Sequence, residues 1–504
     1  MNRSRQRNAA IRRIAIHVLL SCGWSATLRA QAPPDVTAEE WRVAADLSFL
    51  TSPILHGRTV GSAGAAVAAQ YLAAALQSAG LEPFAGDGSY LQKTAVRRAG
   101  TTGSIVIGFG PRTVALRVDQ EVYVAGRAGR VTVDGELVFV GYGVTAPGAG
   151  WDDLRSVVLD GKVVLALDGD PGLAGSPRFR GDTQTVHGIP RQKLEAFARL
   201  GAVGAILVHD PATSVSLETR VALDPTAAGT VEVPQGLAFV AWIDRRTLTD
   251  LLASGNRNLD VMIRRAAQPG FIPIPVGAHA VTDLSTHFEI VEAVTVAARI
   301  PGTTAPEAGF VLLVSHYDEH GAVTNAGGHN AGMLAALLAT ARRVSGGAPI
   351  RGRPVVVVAT PGGHVAGLRQ SFARSAHSAV ILDYMGAPRP PEPATWGQWE
   401  SSLGSSLNPL LDSLALPHPA PRYGFDMAPE FTGLAVQGVT SLAITGSGSL
   451  RSARDESLDE LSRAVAATAN LAAAAVLRLS GSVERPTFLP SSLFPAASGA
   501  TPRP

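Results

Sequence analysis

Cysteine is almost missing from this chain of 504 residues: Cys22 is the only one. A lone thiol near the amino end excludes an intramolecular disulfide and a Cys-ligated zinc site. Lysine is nearly as scarce. Lys93, Lys162 and Lys193 stand alone among 43 basic residues, and the preference for arginine reads as a compositional habit of the genome. No charge of one sign dominates, with 43 basic against 41 acidic side chains, so composition gives no reason to expect nucleic acid as a partner. Long apolar runs are lacking too; the longest near the amino end, residues 14–28, is too short for a transmembrane span.

What is present suits a folded, exported protein. Hydrophobic residues make up 46% and charged ones 17%, a balance that favours packed cores over disorder. The length implies two domains, or one domain with a large insertion. Arg3, Arg5, Arg7, Arg12 and Arg13 precede the apolar stretch, and Ala30-Gln31-Ala32 follows it. That order predicts a signal peptide over residues 1–30 and a secreted or periplasmic protein. Leu19-Leu20-Ser21-Cys22 loosely matches a lipoprotein box, so a lipid anchor at Cys22 is a second reading, one that needs processing at Cys22 instead of near Ala30.

Along the chain, residues 65–79 (AAVAAQYLAAALQSA) carry apolar side chains at helical spacing and stop at Gly80. Residues 104–275 change character: short β-branched runs such as ELVFVGYGV, GKVVLALDG and GAVGAILVHD, with one clear helix near residues 191–200. They predict a β-rich insertion with its own small core, leaving through the Pro-rich segment 268–275. Buried strands follow at 310–315, 354–360, 379–382 and 440–445, alternating with helices at 330–344 and 458–479. Strands alternating with helices predict an α/β fold with a mainly parallel sheet sandwiched by helices. The domain pattern is then residues 33–103 with 284–480 for the α/β unit, 104–275 for the insertion, and a Pro- and Ser-rich tail at 485–504.

In open parallel sheets ligands bind beyond the carboxyl ends of the strands. The four strands run out into Ser315-His316-Tyr317-Asp318-Glu319-His320, Thr360-Pro361-Gly362-Gly363-His364, Asp383, and Gly446-Ser447-Gly448-Ser449-Leu450-Arg451, with His329 at the start of a helix. Polar side chains therefore converge on one edge of the sheet. His187 and His209 in the insertion read as ordinary surface or loop histidines. The Gly327-Gly328 and Gly362-Gly363 pairs read as tight turns, since neither carries the Lys and Ser/Thr of a phosphate-binding loop.

From about residue 47 to residue 479 this order of segments resembles the clan MH zinc aminopeptidases with an inserted protease-associated domain. HGR with Gly61-Ser62 and GSYLQ match early marks, while VGYGV…WDDL…GKVVLALDGDPG and KLEAFARLGAVGAILVHD resemble the inserted domain. HYDEHG, NAGGHNAG, GGHVAGLRQS, LDYMG and RSARDES resemble, in order, the segments that carry that family's metal ligands and base. The resemblance implies a peptide-binding cleft over two zinc ions, which activate a water that a glutamate deprotonates.

Carried over residue by residue, the resemblance implies that His316 is the first-metal histidine, Asp318 the carboxylate that orients it, and Asp383 the first-metal carboxylate. The other positions depart from the pattern. His329 stands at the bridging aspartate, His364 at the general-base glutamate, Val365 at its second-metal neighbour, and Arg451 at the last histidine. Valine cannot coordinate and arginine offers no usable lone pair. The resemblance so altered implies a degenerate centre that holds one zinc at most, or none. His316, His329 and Asp383 form a His₂Asp set with an open fourth position, a legitimate catalytic zinc geometry, and His364 stands where the base belongs. The competing reading has His329 and His364 capping loops and Asp383 paired with Arg451, in a non-catalytic protein that holds a peptide or protein ligand, as clan members such as the transferrin receptor keep the fold without peptidase activity.

Overall fold

The computed structural model describes residues 37–55, 58–174, 179, 185–210, 217, 220–221, 232–305, 308–318, 330–346, 350–361, 375–383, 393–414, 429–435, 437–445 and 458–489. From the amino end, α1 (Ala38–Leu50) and α2 (Ala63–Ser78) lead into β1 (Glu82–Pro83) and the long β2 (Leu91–Phe109). Then come β3 (Arg112–Arg117), β4 (Val122–Gly126), β5 (Gly129–Phe139), the short pair β6 (Thr145–Ala146) and β7 (Trp151–Asp152), and β8 (Val163–Leu167). These are followed by α3 (Pro190–Arg199), β9 (Gly204–His209), β10 (Phe239–Asp244), α4 (Arg245–Ser254), α5 (Leu259–Ala266) and the 27-residue β11 (Ile274–Ile300). The carboxyl part holds β12 (Phe310–His316), α6 (Ala331–Val344), β13 (Val355–Thr360), β14 (Ala376–Leu382), β15 (Ala394–Trp396), α7 (Leu403–Ser413), α8 (Pro429–Ala435), β16 (Ser441–Thr445) and α9 (Leu458–Ser480).

Fourteen strands form one sheet, whose main path runs β15-β16-β14-β12-β13-β11-β5-β8-β9-β10-β4. Two stretches of it are parallel: β16-β14-β12-β13 and β5-β8-β9-β10. β11 joins them, pairing antiparallel with β13 at one end, with β5 at the other, and with β2 along residues 279–296.

The apolar runs explain the layering. A strand covered on both faces buries every side chain, so its sequence need not alternate. In β12, Val311 and Leu313 pack with α6 and α9, while Leu312 and Val314 pack on the opposite face with Phe431 and Phe488. In β8, Val163 and Leu165 face one cluster and Val164 and Ala166 another. Each such Val or Leu side chain contributes roughly 1.5–3 kcal/mol through burial. The clusters around the first parallel stretch draw on residues 43–91 and 294–488, and those around the second on residues 105–284.

α6 is apolar nearly all round and is a central helix, with Leu334, Leu337 and Leu338 at most 1% exposed. α1 starts on a capping box between Thr37 and Glu40, and α2 on the Ser62 side chain.

Several sequence expectations change at this level. Beside its many strands the second unit carries two helices more than the one expected, since α3, α4 and α5 cover its parallel strands; the β-branched runs revealed the strands, but the short amphipathic helices between them were less conspicuous. The expected exit at the Pro-rich segment is followed at once by β11, which continues without a break into the first unit's sheet. The expected signal peptide, Cys22 and most of the Pro- and Ser-rich tail lie outside the described residues. Among the described residues no helix is long and apolar enough to cross a membrane.

Candidate metal centre

Parallel pairing brings the ends of β12 and β14 together. Val314 pairs with Ile381, and carrying that register on by two residues sets His316 opposite Asp383. The side chains meet there: His316 Nε2 lies 3.1 Å from Asp383 Oδ1, and its Nδ1 lies 3.2 Å from Asp318 Oδ1. His316 keeps 15% of its side chain exposed, whereas Asp318 and Asp383 keep 0% and 1%. The imidazole is thus the exposed edge of a buried acidic pair. Asp383 Oδ2 is buried and has no hydrogen-bond partner among the described residues, although such an atom ordinarily takes one.

Three comparisons bear on this arrangement. No family model matches the chain, and no curated protein matches it. Solved structures do. The aminopeptidase of Aneurinibacillus sp. strain AM-1 aligns over 88% of this chain and 95% of its own, at 15% identity and a TM-score of 0.51. The chain has an aminopeptidase-like fold. A peptidase M28 precursor from Shewanella amazonensis SB2B (90% and 96% covered, 16% identity, TM-score 0.48) and a zinc aminopeptidase from Bacillus subtilis (88% and 95%, 13%, 0.46) are similar as well.

Within this aminopeptidase-like fold, the segment holding His316 is pinned from several sides. Asn330, buried just before α6, donates through Nδ2 to Ser315 Oγ at 3.0 Å and to the His316 carbonyl at 2.5 Å. Tyr317 N–H donates to the Thr360 carbonyl at 2.7 Å, and its hydroxyl donates to the Val294 carbonyl. Burial, with the Asp318 charge adding to it, pushes the Tyr317 phenol above its ordinary range, so it stays a donor. Arg58 is fully buried; its Nε donates to the Tyr317 carbonyl at 2.7 Å and its Nη1 to the Leu50 carbonyl. Its φ of 47° lies in the left-handed region, unusual for a long side chain. Such a conformation persists where surrounding contacts hold it, as these do.

Arg58 and Asn330 are the positions that sequence reading passed over. Both lie in segments singled out for family likeness, HGR and NAGGHNAG, yet neither is a metal-ligand type. A buried arginine directed at backbone carbonyls has no signature in composition or spacing.

Of the predicted site, His316, Asp318 and Asp383 are brought together; His329, His364, Val365 and Arg451 lie outside the described residues. Among the described residues no three His, Cys, Asp or Glu side chains are arranged to hold a metal ion. His316 and Asp383 nonetheless suit two positions around one cation. Ligands at 2.0–2.2 Å and a tetrahedral angle stand roughly 3.3–3.6 Å apart, close to the 3.1 Å observed. Asp383 Oδ2, buried beside it, adds a second oxygen.

The two insertion histidines differ from each other. His187 is half-buried in a turn, but His209 is neither exposed nor in a loop: it ends β9, is 2% exposed, and lies 3.3 Å from Asp168 Oδ2. A buried carboxylate beside it makes that position worth a polar side chain.

Proposed function

We propose that this protein is an exported member of the aminopeptidase superfamily with a degenerate centre for a single zinc ion, acting on the N-terminal ends of peptides. The observation that carries the reading is the pair His316 and Asp383, hydrogen-bond distance apart at adjacent carboxyl ends, with Asp383 Oδ2 buried and without a hydrogen-bond partner among the described residues. His316 and Asp383 would hold the ion, with His329 as the third ligand that the family resemblance implies. When bound, zinc would supply Lewis-acid polarisation and a water of lowered pKa. The chain's own residues do the positioning. With Asp318 accepting from His316 Nδ1, Nε2 would be the lone-pair nitrogen offered to the ion beside Asp383. Asn330 and Arg58 hold the backbone on either side of His316. His364 occupies the general-base position of the resemblance, and the insertion at 104–275 takes the place of a protease-associated domain. Export through residues 1–30 belongs to the same proposal, with lipidation at Cys22 as its variant.

A second reading has its own observation. An imidazole flanked by two carboxylates can donate to both, and needs no cation between. On that reading the cleft binds peptide without cutting it.

Elemental analysis of the purified chain together with hydrolysis of aminoacyl-anilides separates the two. The proposal expects one zinc per chain, lost in His316→Ala and Asp383→Asn along with hydrolysis. Two tightly bound equivalents would overturn the mapping of a degenerate site. A zinc-free chain that binds peptides without hydrolysing them establishes the second reading.

A further inference from the structure

The second parallel stretch has a carboxyl edge of its own, and ionisable side chains crowd it. Lys193, in the first turn of α3, is 2% exposed. Its ammonium donates to the Leu167 carbonyl at 2.7 Å and to the Gly169 carbonyl at 2.8 Å, where β8 ends. An ammonium carries three N–H donors, and the third has no acceptor among the described residues.

Three carboxylates lie near enough to act on that charge, yet each is engaged elsewhere. Asp168 accepts from Arg220 at 2.7 and 3.2 Å and lies beside His209. Asp170 accepts from Gly172 N, Thr185 N and Thr185 Oγ1. Asp153 accepts from Val144 N and Trp151 Nε1.

Lys193 lines a cavity of about 320 Å³ between α3 and the loop after β5, with Val144, His187, Ala196 and Arg199 also on its wall. That volume is at the small end of ligand cavities. The acid on the wall, Glu195, is engaged by Arg191 at 2.7 Å. Arg199, exposed at the end of α3, makes no ion pair among the described residues. Beside the Gln192 amide and the His187 ring, the donors on the wall are thus N–H groups on two cations, Lys193 buried and Arg199 exposed. Burial lowers the His187 pKa below its ordinary value, keeping that ring neutral at pH 7.

We propose that this cavity is a binding site for a small carboxylic acid, with a carboxylate oxygen on the third N–H of Lys193 and the guanidinium of Arg199 closing over it. The site lies in the inserted unit and stands independently of the metal centre.

Isothermal titration of the full chain with succinate, and with inorganic phosphate in parallel, tests it. Saturable one-to-one binding of succinate is expected, weakened about tenfold by Arg199→Ala, the loss expected for a charged hydrogen bond. Ala196→Phe, which fills the cavity without altering its charge, should abolish binding; thermal melting checks that each variant is folded. The absence of succinate binding would overturn the proposal, as would binding unchanged in Arg199→Ala. Tighter binding of phosphate than of succinate would overturn the carboxylate assignment.

Discussion

Asn330 is the side chain on which the candidate centre depends most directly after its ligands. Its amide spans from Ser315 Oγ to the His316 carbonyl inside the protein. Asn330→Ala removes a donor from both acceptors, and the loss of a buried partner costs about 1–3 kcal/mol. Urea unfolding should show that loss, and zinc affinity should fall with it; a variant as stable as the parent would remove Asn330 from the positioning role. His377 offers a test by pH. Burial and the nearby Arg353 charge push it down to about 4, while its Nε2 lies 3.0 Å from the Glu484 carbonyl. A histidine lowered in the fold binds fewer protons there than in the unfolded chain. Stability should therefore be full above about pH 6.5 and decline as pH falls toward 4. His377→Gln should flatten that decline in denaturant midpoints measured across this range.

The elements show why some of this was visible in the sequence and some was not. β12, β13, β14 and β16 are short apolar runs followed by polar residues, so both their existence and the chemistry at their ends could be read directly. β11 could not. It runs 27 residues through alternating and fully buried parts, because its partners change from β5 to β2 to β13 along its length. No single period describes such a strand. α6 was legible as a helix from its apolar content, and its burial makes a simple test: Leu337→Ala should cost about 2–5 kcal/mol in guanidinium unfolding. Gly64 in α2 shows a contact that spacing cannot reveal. A Cβ there would stand 1.6 Å from the Leu55 carbonyl oxygen, just ahead of the turn that leads to Arg58. Backbone must then move, and Gly64→Ala should destabilise by about 1–3 kcal/mol or more. A neutral result in the same unfolding assay would contradict that packing.

At the scale of the whole molecule, two pairs of hydrophobic clusters share one sheet through β11. A strand common to both cores makes them unfold as one unit. Under native conditions, hydrogen exchange of β12 and β10 peptides should proceed through openings of equal free energy. A lower-energy opening confined to residues 105–284 would show that the inserted unit unfolds alone.

Composition and order determined the fold class and the strand ends at which His316, Asp318 and Asp383 meet, since apolar runs and the residues after them are local properties of sequence. Tertiary structure decided what needs partners far apart in the chain. Arg58 reaches Tyr317 across 259 positions and Lys193 reaches Leu167 across 26, and β11 binds two cores into one sheet. The physical reason is that burial and hydrogen-bond satisfaction belong to pairs of groups, and a sequence shows only one member of each pair at a time.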